Sequence, residues 1–294
     1  MVRKNSPGER IAYAFFCFCI VLLCVITLYP FIYVFCYSVS ESSKAAAKVV
    51  TIYPLGFTWD NYHAVFRDKN LINAFSVSVS RTLLGTLTTV AVTSLTAYSL
   101  SKRHLIAHKP LMWFFMIPMY FNAGMLPNFV MMSKYGLLDN FFVYILPLAF
   151  STYYMIIFKS FFEQIPSALM EAAMLDGADD LKVFTKIVLP TSTPVLATIA
   201  LFAGVQQWNS YFDGILYVSK DALQPLQTLM YKILQSEQAF SISQVANAAE
   251  GATKITAEGI KMSMLIVSTV PILCIYPFLQ KYFVKGIMLG AVKG

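Results

Sequence analysis

The stretch EAAMLDGADDLKVFTKIVLP, from Glu171 to Pro190, separates two long apolar runs and has a pattern of its own. Just ahead of it, Ser167 opens a segment in which Leu169, Ala172, Ala173 and Leu175 recur at helical spacing. Gly177 ends that helix, since glycine enters the left-handed cap conformation without a Cβ penalty. Either Asp179 or Asp180 can cap a second helix, which presents Leu181, Phe184, Ile187 and Val188. Pro190 and Pro194 fall where the next apolar run begins. A proline in a first helical turn lacks only an N–H that has no helical partner there. The region about 163–188 is therefore two short helices set between two helices of a different kind.

The flanking runs are too apolar for a soluble protein. Of 294 residues, 57% are hydrophobic and 13% charged, against about 25% charged in soluble domains. One core of this size cannot hide so much apolar surface, so the bilayer becomes the solvent. Crossing roughly 30 Å of hydrocarbon takes about 20 helical residues. Six runs reach that length, at about 11–38, 72–101, 110–132, 140–160, 189–212 and 262–281, and only Arg81 places a charge well inside one. The expected fold class is an all-α integral membrane protein: one domain over 1–294, six transmembrane helices, both termini on one side. The first run is read as a retained helix. It is too long for a signal-peptide core, and no small-residue cleavage site follows it.

Charge sets the orientation. Arg3, Lys4 and Arg10 precede the first run, Lys102, Arg103 and Lys109 join the second to the third, and Lys281, Lys285 and Lys293 follow the sixth. The positive-inside rule puts these segments, both termini and the 163–188 loop in the cytoplasm. The net charge of +7 is thus spent at the ends of apolar runs and forms no nucleic-acid stripe. Cys17, Cys19, Cys24, Cys36 and Cys274 all lie within apolar runs without a CxxC pair, and are read as apolar space-fillers, not metal ligands.

The loop carries a family resemblance. Glu171-Ala172-Ala173, then Gly177, then Ile187-x-Leu189-Pro190, ahead of the penultimate span, resembles the "EAA" signature of bacterial ABC-importer permeases. Asn73–Arg103, Gly124–Pro127, Trp208-Asn209 and Gln280–Gly294 extend the likeness to the maltose-type carbohydrate-uptake permeases, in particular those related to lipoprotein-linked polysaccharide uptake. The resemblance implies a type I ABC importer fold in the bacterial cell membrane. It implies a heterodimer with a second, homologous permease, two ABC ATPase subunits below, and an extracellular or periplasmic solute-binding protein that delivers a carbohydrate. It implies that Glu171, Ala172, Ala173, Asp176, Gly177, Ile187, Leu189 and Pro190 form the coupling element that an ATPase pushes on. The chain has no GxxxxGK[ST] segment to cradle a triphosphate. ATP and magnesium are accordingly expected on the partners, with no cofactor and no enzymatic activity here.

A sugar pathway needs polar groups for hydroxyls and flat rings for pyranose faces. The candidates are Asn122 in the third run and Trp208, Asn209, Tyr211 and Asp213 at the end of the fifth. Trp208 and Tyr211 stand open between pathway residues and interfacial anchors. Asn122 and Asn209 stand open between substrate contact and helix–helix hydrogen bonds. Arg81 is read as snorkelling or paired within the complex, with a proton relay as the other reading. The segment Asp213–Lys261 is either a contact for the binding protein or a linker. The alternative function is an ion-coupled secondary sugar transporter, which would need ionisable groups near the midplane that these runs almost lack. A channel would leave the Glu171–Pro190 pattern without a purpose.

Overall fold

The computed structural model describes residues 7–41, 44–45, 52–102, 105–121, 123–235 and 256–291. The described residues are helical, with one isolated antiparallel bridge between Ser40 and Phe57. Among the described residues, three helical stretches are long and apolar enough to cross a bilayer: Ile11–Ser38, Lys69–Ser101 and Glu258–Ile275. Two bent pairs raise that number to 5 if each is one span. The chain divides into two units, one of Met1–Lys69 with Lys232–Thr269 and one of Asn70–Tyr231 with Val270–Gly294.

In the first unit, α1 (Pro7–Ser38) is apolar on every side, and none of its most apolar window is buried. Such a helix needs lipid or another protein around it. Its C-terminal end is held by polar groups, because the last carbonyls of a helix have no helical partner. Asn61 Nδ2, on α2 (Asp60–Arg67), donates to the carbonyls of Ser38 at 3.0 Å and Ser40 at 3.1 Å. Ser38 Oγ meets the Tyr62 hydroxyl at 2.8 Å.

The second unit is organised on α3 (Lys69–Ser101). Its buried face runs Ala74, Ser78, Arg81, Gly85, Thr89, Thr93 and Ala97, a stripe at helical spacing made mostly of small residues. Small residues let helix backbones approach in a membrane, where packing replaces the hydrophobic drive. Gly85 is the tightest point: a Cβ there would collide with the Gln207 side chain. Toward the end of α3 at Ser101, Tyr98 and Leu100 join Phe158, Phe162, Val183, Phe184, Val188 and Ile199 in one apolar core.

Each of the next three apolar runs is interrupted. The third becomes α4 (His108–Tyr120) and α5 (Met125–Lys134), with Pro118 near the end of α4 and Gly124 at φ +88° before α5. The fourth opens with short 3-10 turns, then bends by 48° into α6 (Thr152–Phe162), which Ser151 caps. The loop follows as α7 (Ser167–Leu175) and α8 (Asp180–Thr191), and α8 meets α9 (Thr193–Asn209) at 84°. The fifth bundle helix thus starts at Thr193, not at 189, and Pro190 belongs to the loop side of the bend. Pro194 is the reason. It has no N–H for the Pro190 carbonyl, and the Thr193 hydroxyl bonds that oxygen instead, at 2.7 Å. Beyond α9 come α10 (Phe212–Tyr217), α11 (Leu226–Gln235) and α12 (Ala257–Ala291).

Candidate functional site

The loop is built to present α7. None of the residues of α7 is buried. Glu171, Ala172 and Asp176 are exposed, and Leu175 is 90% exposed although it is apolar. Met170, Ala173 and Ala178 rest against the core beneath. The helix closes in a double bond pattern, Ala178 N–H to the Ala173 carbonyl at 2.9 Å and Gly177 N–H to that of Met174 at 3.0 Å. This is the glycine-terminated Schellman arrangement. Gly177 has φ +82° and open space where a Cβ would stand, so the backbone angle alone demands glycine. The carboxylate of Asp179, rather than Asp180, caps α8, accepting the Lys182 N–H at 2.8 Å. A π-turn at Phe184–Val188 then leads to Pro190. Ile187 and Leu189 pack on the core, while Pro190 is exposed. The coupling candidates therefore split into an outward group (Glu171, Ala172, Asp176, Gly177), a rooted group (Ala173, Ile187, Leu189), and Pro190 beside the bend.

The pathway candidates do not converge. Asn122 lies outside the described residues, as does the middle of the outer segment, 236–255. Trp208 is buried, its ring edge-on to Phe75 at 5.9 Å. Tyr211 stacks on Tyr231 at 4.7 Å, and Asn209 is exposed. Asp213 is engaged by Arg81. The Arg81 side chain is fully buried. Its Nη1 donates to Asp213 Oδ1 and to the Ser210 carbonyl, each at 3.2 Å, and Nη2 donates to Asp213 Oδ2. Nε and Nη2 both reach Gln207 Oε1, at 3.3 and 3.2 Å. That uses all five guanidinium donors. The Tyr144 ring lies 4.4 Å from the guanidinium carbon. Arg81 is thus paired within this chain.

A different set of polar groups surrounds open space. A cavity of about 130 Å³ is lined by Thr89, Ser151, Tyr154, Gln206 and Gln207, with apolar walls. The Tyr154 hydroxyl and Gln206 Oε1 are 3.4 Å apart. Gln207 is committed on both sides, donating its amide to the Tyr144 carbonyl at 3.1 Å and accepting from Arg81. Gln206 and Gln207 directly precede the pathway candidate Trp208 in the sequence. Tyr154 and Thr89 carry no local signal of their own.

Long apolar helices, a polar cavity among them, and an exposed, capped helix outside them define a membrane transport component. Residues 91–289 match the binding-protein-dependent transport system inner membrane components, and the chain belongs to that family. It is 38% identical to the polygalacturonan/rhamnogalacturonan transport system permease protein YtcP of Bacillus subtilis (strain 168), over 99% of this chain and 100% of that one. It is 37% identical to Protein LplC of the same strain, over 92% of this chain and 90% of the relative. Among solved structures, it superposes with a TM-score of 0.90 and 28% identity on a chain of a bacterial ABC transporter involved in the import of the acidic polysaccharide alginate, covering 96% of this chain and all of that one. The fold is that of a type I ABC importer permease. The family comprises permease subunits rather than ATPases. None of these matches supports the ion-coupled alternative.

Proposed function

We propose that this chain is one of two permease subunits of an ATP-driven importer that carries an oligosaccharide or polysaccharide fragment across the bacterial cytoplasmic membrane. Both termini lie in the cytoplasm. A second, homologous permease completes the path, a solute-binding protein delivers sugar from outside, and two ABC ATPase subunits bind ATP and magnesium and drive the cycle. This chain hydrolyses nothing itself. The relatives' pectic and alginate substrates favour a carbohydrate cargo.

The observation that carries the reading is α7. An exposed helix that turns apolar Leu169, Met174 and Leu175 outward, ended by a glycine at φ +82° and rooted in the core by Ala173, presents an apolar face suited to a partner protein. An ATPase cleft is that cover. Ala172 lets the partner approach, and Glu171 offers a charge to a basic group or helix end. Movement of the ATPases then shifts the bundle between inward- and outward-facing states as a rigid-body switch. Tyr154, Gln206 and Thr89 line the route taken by sugar hydroxyls.

The test is uptake by the complete complex in proteoliposomes. Labelled oligogalacturonide, alginate oligosaccharide, maltotriose and arabino-oligosaccharide are offered as a panel. At least one is expected to accumulate with ATP inside, and Glu171→Lys is expected to abolish that without loss of assembly. Uptake that follows an ion gradient and ignores nucleotide would overturn the proposal.

A further inference from the structure

Tyr98 lies in the last turn of α3 and Lys102 directly follows its end, while Asp180 and Phe184 sit one turn apart on α8. Side chains four apart on a helix share a face, and here the two faces meet. Lys102 Nζ donates to the Asp180 carboxylate. The same ammonium lies 4.6 Å from the centre of the Tyr98 ring. Tyr98 in turn packs on Phe184, ring centres 5.1 Å apart. Both rings are buried. The Lys102 side chain is only 15% exposed, though Asp180 is 68% exposed. Partial burial pulls the Lys102 ammonium down, and the bond to Asp180 and the electron-rich face of Tyr98 more than offset it, so it stays above its ordinary range.

An isolated surface ion pair would carry little, about 0–1 kcal/mol. This one is seated on a buried aromatic pair, which fixes where it can form. Its place in the loop gives it a use. A push on α7 passes through Gly177 to α8, and besides the apolar core that α8 shares with α6 it has two exits. One is the 84° bend to α9, where Pro194 breaks the helical ladder. A broken ladder is compliant. The other is the contact with α3, an uninterrupted helix of 33 residues. From Lys102 to Arg81 along α3 is about 30 Å at 1.5 Å per residue, and Thr89 of the polar cavity lies on the way.

We infer that Tyr98 and Lys102, gripping Phe184 and Asp180, form a clamp that carries motion of the loop into α3 and so to the polar cavity. Lys102 and Asp180 are positioning residues: they touch neither sugar nor nucleotide. The inference rests on the reading of α7 as the ATPase contact.

The experiment measures ATP hydrolysed per sugar imported, in proteoliposomes holding the complete complex and the panel sugar taken up fastest. Lys102→Asp and Asp180→Lys are each expected to raise the ratio at least five-fold while the assembled complex still hydrolyses ATP. The double reversal, Lys102→Asp with Asp180→Lys, is expected to return it to within two-fold of the parent. A merely structural pair would lower assembly and leave the ratio alone. If the single reversals fail to assemble, Lys102→Arg should keep the parent ratio and Lys102→Gln should raise it. Single variants at the parent ratio, or a double reversal no better than the singles, would overturn the clamp. Glu171→Lys in the same assay separates the two readings. If it uncouples and the Lys102 variants do not, the clamp alone is wrong; if it leaves uptake and ratio at parental values, the loop reading falls as well.

Discussion

Removing Asp213 should damage the protein more than removing Arg81, its partner. The two side chains differ in depth: that of Arg81 is 0% exposed and that of Asp213 is 16% exposed. In Asp213→Ala the guanidinium keeps Gln207 Oε1 and the Ser210 carbonyl but loses its counter-charge. Stripping one member of a buried ion pair costs about 3–5 kcal/mol. In Arg81→Met the stranded carboxylate still reaches the surface and accepts the Gly214 N–H at 2.9 Å, so the cost falls to about 2 kcal/mol, the upper range for a polar group left short of a partner. Replacing both, as Arg81→Met with Asp213→Leu, removes the stranded charge and should come within about 1 kcal/mol of the parent, since apolar replacement of a buried pair is often neutral. At roughly 2–4 °C per kcal/mol, the roughly 3–5 kcal/mol lost in Asp213→Ala lowers the melting temperature by about 6–20 °C. Thermal unfolding of the purified complex in detergent, followed by fluorescence at two scan rates, reads the three variants. A shift under about 2 °C for Asp213→Ala, or a double variant as unstable as it, would refute the reasoning.

The other predictions concern the loop, the outer turn and the cavity. Gly177→Ala forces an alanine to φ +82°, costing about 1–2 kcal/mol at that residue; uptake should drop several-fold, with Gly177→Asn in between, and equal uptake by all three proteins would show that the angle is unimportant. The Asp139 carboxylate accepts the N–H groups of Ser219 at 2.6 Å and Lys220 at 3.0 Å, and these bonds hold it below its ordinary range. A depressed carboxylate stabilises above its unfolded value, near pH 4, and the gain disappears as pH falls through the lower native value. Exchange protection at Ser219 and Lys220, corrected for intrinsic rate, should therefore decline only below about pH 4 and be absent at every pH in Asp139→Ala. Tyr154→Phe should raise the KM for sugar uptake about three- to ten-fold with little change in melting temperature, as expected for one lost neutral hydrogen bond. An unchanged KM would take Tyr154 off the route.

What could be read in advance was local. Gly177 and the aspartates after it define helix ends through their own backbone preferences, and the structure had only to choose Asp179 over Asp180. The interruptions were harder to see although their residues were in plain view. Counting apolar residues measures affinity for hydrocarbon, not continuity of the hydrogen-bond ladder. Pro118, Gly124 and Pro194 break the ladder without adding a charge to their runs. The partner of Arg81 was out of reach altogether, because it lies 132 positions along the chain and is delivered by packing of α3 beside α9 and α10. Trp208 and Tyr211 show the same limit. Their type suits a sugar pathway, yet the bundle gives their rings to Phe75 and Tyr231.

That packing also decides which polar groups remain able to serve a passing sugar. A group whose donors are all engaged must break bonds before it can help a new hydroxyl, and at low dielectric that is expensive. Arg81 and Gln207 are engaged in this way, so the one buried cation of the α3 stripe is neutralised beside the cavity instead of projecting into it. Tyr154 and Gln206 are different. Their 3.4 Å contact is at the long end for an O–H···O bond. Little is lost when a carbohydrate hydroxyl slips between them, donating to one and accepting from the other. Such partners suit transport better than tight ones, since a site that holds its cargo strongly in one state slows release in the next. On the proposed route through Tyr154 and Gln206, the ion pair and the loose pair have complementary roles: the first keeps charge out of the cavity, and the second would leave neutral hydrogen bonds available to sugar.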